Sequence, residues 1–234
     1  KQKTAYEIRL SLVGSEMCIR DRVDAYCERL GAGLWAEPVN ALTNLAFVIM
    51  ALWLWPRTQA RPLARVLVVI LGAIGIGSGL FHTAATRWAG LADVIPIGLY
   101  ILTYLYAVNR DVCGWPVWLA ALGTAAFIPY AMAVTPVFGM LPFLAISGFY
   151  WSVPLLIVIY ALALRRRAPR TAMGLAMGAG ILSLSLVFRS LDAALCAAFP
   201  LGTHFLWHLL NAVMLGWMIH VYLEDRDKVF PQPD

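Results

Sequence analysis

From about residue 38 onward, long apolar runs alternate with short stretches rich in Pro, Gly or Arg. None of the runs shows the period-2 alternation of a barrel strand, so each reads as a helix. A membrane crossing needs about 20 mostly apolar residues. On that measure the runs predict seven spans, over 38–55, 65–84, 91–109, 114–134, 141–164, 172–191 and 203–223. Pro56 and Pro62, Gly90, Gly114-Trp115-Pro116, Thr135-Pro136, Ala168-Pro169 and Pro200-Leu201-Gly202 punctuate them. The expectation is an all-α, seven-transmembrane-helix bundle in the membrane. No internal repeat is evident, which weakens a transporter reading.

Composition agrees. The 234 residues are 61% hydrophobic and 13% charged, about half the charge of an ordinary soluble domain. Too little polar surface remains to coat a soluble globule, and a disordered chain would be far less apolar. The net charge of +5 divides unevenly. Residues 1–22 have no initiating Met, no signal-peptide core and no apolar helical face. They resemble a translated sequencing adapter and are set apart, Cys18 included, from a single domain over 23–234. In that domain the Arg residues cluster on one side of a seven-span chain. Arg57, Arg61 and Arg65 follow span 1, Arg110 follows span 3, and Arg165, Arg166, Arg167 and Arg170 follow span 5, with Arg226 and Lys228 in the tail. The positive-inside rule then predicts a cytoplasmic C-terminus and an outer N-terminus. The basic excess needs no nucleic-acid partner.

Ionisable residues inside spans are costly and mark sites. Of four histidines, His82 ends span 2 while His204 and His208 open span 7, which puts all three at the outer level. Asp93 enters span 3 at that same level. The i, i+4 spacing of His204 and His208 places both on one helix face, and Ser78 and His82 share a face likewise. Three imidazoles leave one position of a tetrahedral zinc open. A single buried histidine would more often be a packed residue; the conjunction of three with a carboxylate carries the site. His220 falls near the cytoplasmic end and reads as interfacial. Ser78 sits among Gly72, Gly75, Gly77 and Gly79, a pattern that also serves close helix packing. Arg189 and Asp192, at i, i+3, are expected to pair.

Ser78-Gly-Leu-Phe-His82, Asp93-Val-Ile-Pro96 and His204-Phe-Leu-Trp-His208 together resemble the alkaline ceramidases, within the CREST group of seven-span hydrolases that includes the adiponectin and progestin receptors. Tyr26-Cys27-Glu28-Arg29 and the run from Trp35 through Glu37-Pro38, Asn40 and Asn44 resemble the ceramidases specifically. The resemblance implies zinc on His82, His204 and His208, Asp93 relaying a proton from water to the leaving amine, and Ser78 stabilising the oxyanion. It implies a membrane-lipid substrate, ceramide or a ceramide-like amide cleaved to fatty acid and sphingoid base, with no obligate protein partner. It also implies calcium before span 1 on Asp24, Glu28 and Glu37. There the chain departs from the family pattern: Asp24 stands four residues before Glu28 rather than three, and Leu30 falls where the family has Asn. A solvated acidic segment is the other reading. Asn40 and Asn44 are read as partners of backbone or of nearby ligands.

Cys27 and Cys196 fall on the outer side, where disulfides form, and Cys113 on the cytosolic side. A Cys27–Cys196 bridge is predicted, with free buried thiols as the alternative. Tyr100, Tyr104, Phe149, Tyr150 and Trp151 are candidate walls of a lipid pocket. Another acyl lipid as substrate, a receptor with structural zinc and a carrier remain as other functions. The compact form and short tail point to a bacterial plasma membrane.

Overall fold

The computed structural model describes residues 23–229 except 24, 32 and 60. The leader at 1–22, Asp24, and the side chains of Arg226 and Lys228 therefore lie outside the described residues. Ten α-helices occupy the described residues, with a 3-10 turn at Trp55–Thr58 and a π-helical turn at Val108–Val112: α1 (Pro38–Thr43), α2 (Leu45–Leu54), α3 (Pro62–Ala84), α4 (Arg87–Ala107), α5 (Val117–Ala125), α6 (Phe127–Gly139), α7 (Pro142–Ala145), α8 (Gly148–Leu164), α9 (Pro169–Leu195) and α10 (His204–Val229). Pro at the first helical position begins α1, α3, α7 and α9, where its missing N–H has no intrahelical partner to lose.

Six helical stretches are long and apolar enough to cross a membrane, and a seventh, α8, is a shorter apolar helix of 17 residues. Spans 1 and 4 are each built from two consecutive helices, α1–α2 and α5–α6. The largest departure is at span 5, expected from residue 141. The chain makes only the short α7 there, and α8 begins at Gly148. Pro142 allows a first turn but not a continuation from upstream. The interrupted backbone is met from α9: the Arg189 guanidinium donates to Ile146 O (3.1 Å) and Ser147 Oγ (2.7 Å). Irregular backbone at membrane depth persists only with such partners.

Sequential spans pack side by side, and α10 returns to contact α2 and α3, closing the bundle. Close approach is set by glycine. A Cβ on Gly77 would lie 2.0 Å from the backbone oxygen of Ala92, so α3 and α4 touch backbone to backbone. Gly174 and Gly178 let α9 meet Val221 and Met218 of α10 in the same way. Outward positions such as Leu52, Val69, Leu99 and Met132 are exposed apolar side chains suited to lipid.

Arg189 and Asp192 do not form the expected ion pair. While Arg189 serves the span 5 break and lies over the rings of Tyr150 and Trp207, buried Asp192 accepts three backbone N–H groups. Its Oδ1 takes Thr203 N (2.7 Å) and His204 N (2.9 Å), and its Oδ2 takes Cys27 N (3.0 Å). One carboxylate thus caps the start of α10, where the helix dipole favours negative charge, and anchors the N-terminal segment. Gly202 is left-handed (φ +68°), and a Cβ there would lie 2.1 Å from Asp192 Oδ1. The Cys27–Cys196 disulfide is present beside this node, with Cα atoms 5.3 Å apart. Cys113 is free.

Asp192→Ala leaves three buried donors without acceptors, each worth about 1–3 kcal/mol. A loss of several kcal/mol is expected, read as a lower thermal midpoint in detergent; an unchanged midpoint would contradict the capping role. Gly77→Ala is expected to lower the midpoint as well, because α3 and α4 must separate, whereas Gly98→Ala, where a Cβ meets nothing within 4 Å, is expected to leave it unchanged.

Candidate metal centre and cavity

His82 comes from the last turn of α3, His204 from the first residue of α10 and His208 from the next turn. All three are at most 2% exposed. One candidate ligand atom from each lies within 4.8 Å of the others. Among the described residues this is the only group of three or more metal-ligating side chains that meets.

The surroundings select which ring nitrogens face one another. His82 Nδ1 is 2.5 Å from Glu37 Oε2 and donates to that carboxylate, leaving Nε2 as the lone-pair nitrogen. His208 Nδ1 is 2.9 Å from Thr43 Oγ1. The Thr43 hydroxyl donates to Val39 O at 2.8 Å, so we assign the Nδ1–H to His208. Nε2 is again left over, and it is buried without a hydrogen-bond partner, as is Nδ1 of His204. Two orphaned buried imidazole nitrogens on one face of α10, with His82 of α3 beside them, fit a metal that takes nitrogen ligands. The Glu37–His82 contact is the carboxylate–histidine pairing that orients such ligands. Tyr26 lies flat on His204, with ring centroids 3.8 Å apart and planes at 25°.

Ser78 and Asp93 are brought together by the Gly77–Ala92 contact one residue before each. The Ser78 and Asp93 side chains both reach the same cavity wall. Ser78 is buried and Asp93 is half-buried. Both border a cavity that His208 also lines. Beyond that polar end the cavity, about 100 Å³, is lined by apolar groups including Leu182, Trp207, Val108, Leu175 and Met218. Asp93 and Leu105 both line it, so it follows α4 for roughly 18 Å at 1.5 Å per residue. Of the expected walls, Tyr100, Tyr104 and Tyr150 line it. Phe149 and Trp151 do not. The former is 43% exposed and packs against Phe127, and the latter packs against Phe138. Neighbouring positions on a helix point to different sides, and only one side of α8 faces the cavity.

The segment before α1 is drawn into the site. Glu28 accepts Val39 N (2.7 Å) and Asn40 N (2.8 Å), capping α1 from outside the helix. Glu37 accepts from Arg29 and from His82. Burial alone would raise the Glu37 carboxyl, but the hydrogen bonds from His82 and Arg29 and the Arg29 charge hold it below the ordinary carboxylate range. All four oxygens of these two carboxylates thus accept from protein donors, and a guanidinium sits among them. That arrangement does not fit the open, hard-oxygen set that calcium takes. Asp24, the third residue expected there, is outside the described residues. Asn44 Nδ2 donates to Asn40 O at 2.7 Å. His220 lies far from the centre, 3.3 Å from Glu224 one turn on.

Thr43 behind His208 has no distinct mark in the sequence, while Tyr26 over His204 and Asp192 at the start of α10 stand out there only in other roles. Glu37 stood out there for a different role. A hydroxyl or carboxylate brought in from a distant segment has no local spacing signature.

No curated protein matches the chain. A family model described as Ceramidase matches residues 26–227, a range that contains all three histidines, Ser78, Asp93 and the segment that supports them. The chain belongs to the ceramidase family.

Proposed function

We propose that this protein is a zinc-dependent intramembrane hydrolase that cleaves the amide bond of ceramide-like lipids at the outer level of the membrane. Family membership supports a ceramide-cleaving amidohydrolase in general terms. The observation that carries the finer reading is the junction of three buried imidazoles with Ser78 and Asp93 at the head of a long apolar cavity. Apolar lining suits hydrocarbon chains, and polar groups confined to one end would fix the amide there.

His82, His204 and His208 would hold the ion, with Glu37 and Thr43 orienting two of them. When bound, zinc supplies a Lewis acid that polarises a carbonyl and acidifies water. Asp93 would accept the proton of the attacking water and deliver it to the leaving nitrogen, so that one carboxylate serves as base and then acid. Ser78 would donate to the oxygen on which negative charge develops. The apolar walls would keep bulk water from the acyl chain. The outward orientation is supported by the Arg-rich connections at the opposite end and by the disulfide beside the centre.

The test is metal content together with release of labelled fatty acid from ceramide by the purified protein. We expect about one zinc per chain, lost in His204→Ala together with activity. Asp93→Ala is expected to retain zinc and lose at least about 100-fold in kcat, the usual range for a general acid–base. A zinc-free, active wild type would sink the metal reading, and cleavage of another acyl lipid with ceramide inert would move the substrate. Leu182→Trp, which narrows the cavity, is expected to depress turnover of long-chain substrates more than short-chain ones.

A further inference from the structure

We propose that Arg29 is a built-in cation that positions the metal ligand His82, doing by a guanidinium what a calcium ion would otherwise do among these carboxylates and carbonyls. Arg29 is only 8% exposed, and its fork is spent on three acceptors. Nε donates to Glu37 Oε1, Nη2 to His82 O at 3.2 Å, and Nη1 more weakly to Gly31 O at 3.4 Å. The first two contacts converge on one residue. Glu37 passes its other oxygen to His82 Nδ1, so Arg29 holds the His82 backbone directly and its imidazole through Glu37.

The charges make the case for a cation here. Glu37 is 2% exposed and also faces the edge of α1. A carboxylate so placed needs a partner, since a lone buried charge costs far more than a paired one. Arg29 supplies that partner with a fixed planar geometry and no exchange with solvent. Lys could not match it, because an ammonium lacks the fork that reaches a carboxylate and a carbonyl at once. Glu28, the neighbouring carboxylate, is already occupied by two backbone N–H groups of α1. A divalent ion would have to displace these donors and then sit against the guanidinium.

The consequence is that zinc affinity depends on Arg29 and does not depend on calcium. This rests on the zinc reading above. The experiment is a double-mutant cycle on the zinc dissociation constant, measured by competition with a chromophoric chelator in detergent, on wild type, Arg29→Gln, Glu37→Gln and the double variant. Loss of an outer partner of a metal-bound His weakens binding roughly 10–100-fold. We expect each single variant to fall in that range and the double to lose clearly less than the sum of the two, because Arg29 reaches the His82 imidazole through Glu37. Arg29→Lys is expected to recover only part of the loss. Wild type titrated with calcium is expected to show no binding below millimolar concentration and no change in zinc affinity. Zinc held equally by wild type and Arg29→Gln, fully additive losses, or micromolar calcium binding to wild type would each overturn the assignment of Arg29. A wild type that binds no zinc would overturn the metal reading itself. If Arg29→Gln fails to fold, the calcium titration of wild type decides.

Discussion

The Asp192 carboxylate is the interaction on which the rest of this structure leans. It faces three N–H groups from two distant segments, the first turn of α10 and the amide of Cys27. Those residues are buried, so their donors have no water to turn to. Their shared acceptor fixes where α10 begins, and α10 begins at His204. The same carboxylate draws in Cys27, whose disulfide to Cys196 locks the N-terminal segment against the end of α9. That segment then carries Tyr26 over His204 and delivers Arg29 to Glu37 and His82.

The histidines that could hold a metal gather at one end of this bundle, and two of the three are held by a neighbouring polar side chain. His208 is steadied by Thr43, His82 by Glu37, and Glu37 by Arg29. Glycine does the complementary work: only a residue without a Cβ lets α3 and α4 touch at Gly77, and that contact sets Ser78 against Asp93. A rigid polar head above a soft apolar cavity is the arrangement a lipid amide requires. The head group must be oriented, while the chain needs only room.

Much of this was legible in the sequence because membrane physics leaves so few options. Seven apolar runs place the spans, all but the start of the fifth to within about five residues, and the scarcity of ionisable residues makes His82, Asp93, His204 and His208 conspicuous. Misreadings arose where a local rule met a distant competitor. Arg189 and Asp192 stand at a spacing that favours pairing, yet Asp192 is taken by the amides of α10 and Cys27 and Arg189 by the broken backbone before α8. Span 5 was read as continuous from residue 141 because hydropathy does not register Pro142 and Ser147 as a break that Arg189 could satisfy. Aromatic content does not say which side of a helix faces inward, so Phe149 and Trp151 read as cavity walls in the sequence but pack against Phe127 and Phe138.

By itself the sequence determined the fold class, the number of apolar helices, the family resemblance and the level at which the histidines gather. These follow from periodicity, length and the cost of charge in lipid, all of which act locally along the chain. Only the tertiary structure decided which nitrogen each histidine keeps free, which carboxylate pairs with which cation, and where the apolar cavity lies. Those depend on groups up to 165 residues apart meeting at one point. The physical reason is that a buried polar group takes the best partner that packing brings to it, and packing is settled by the whole bundle rather than by the neighbours in sequence.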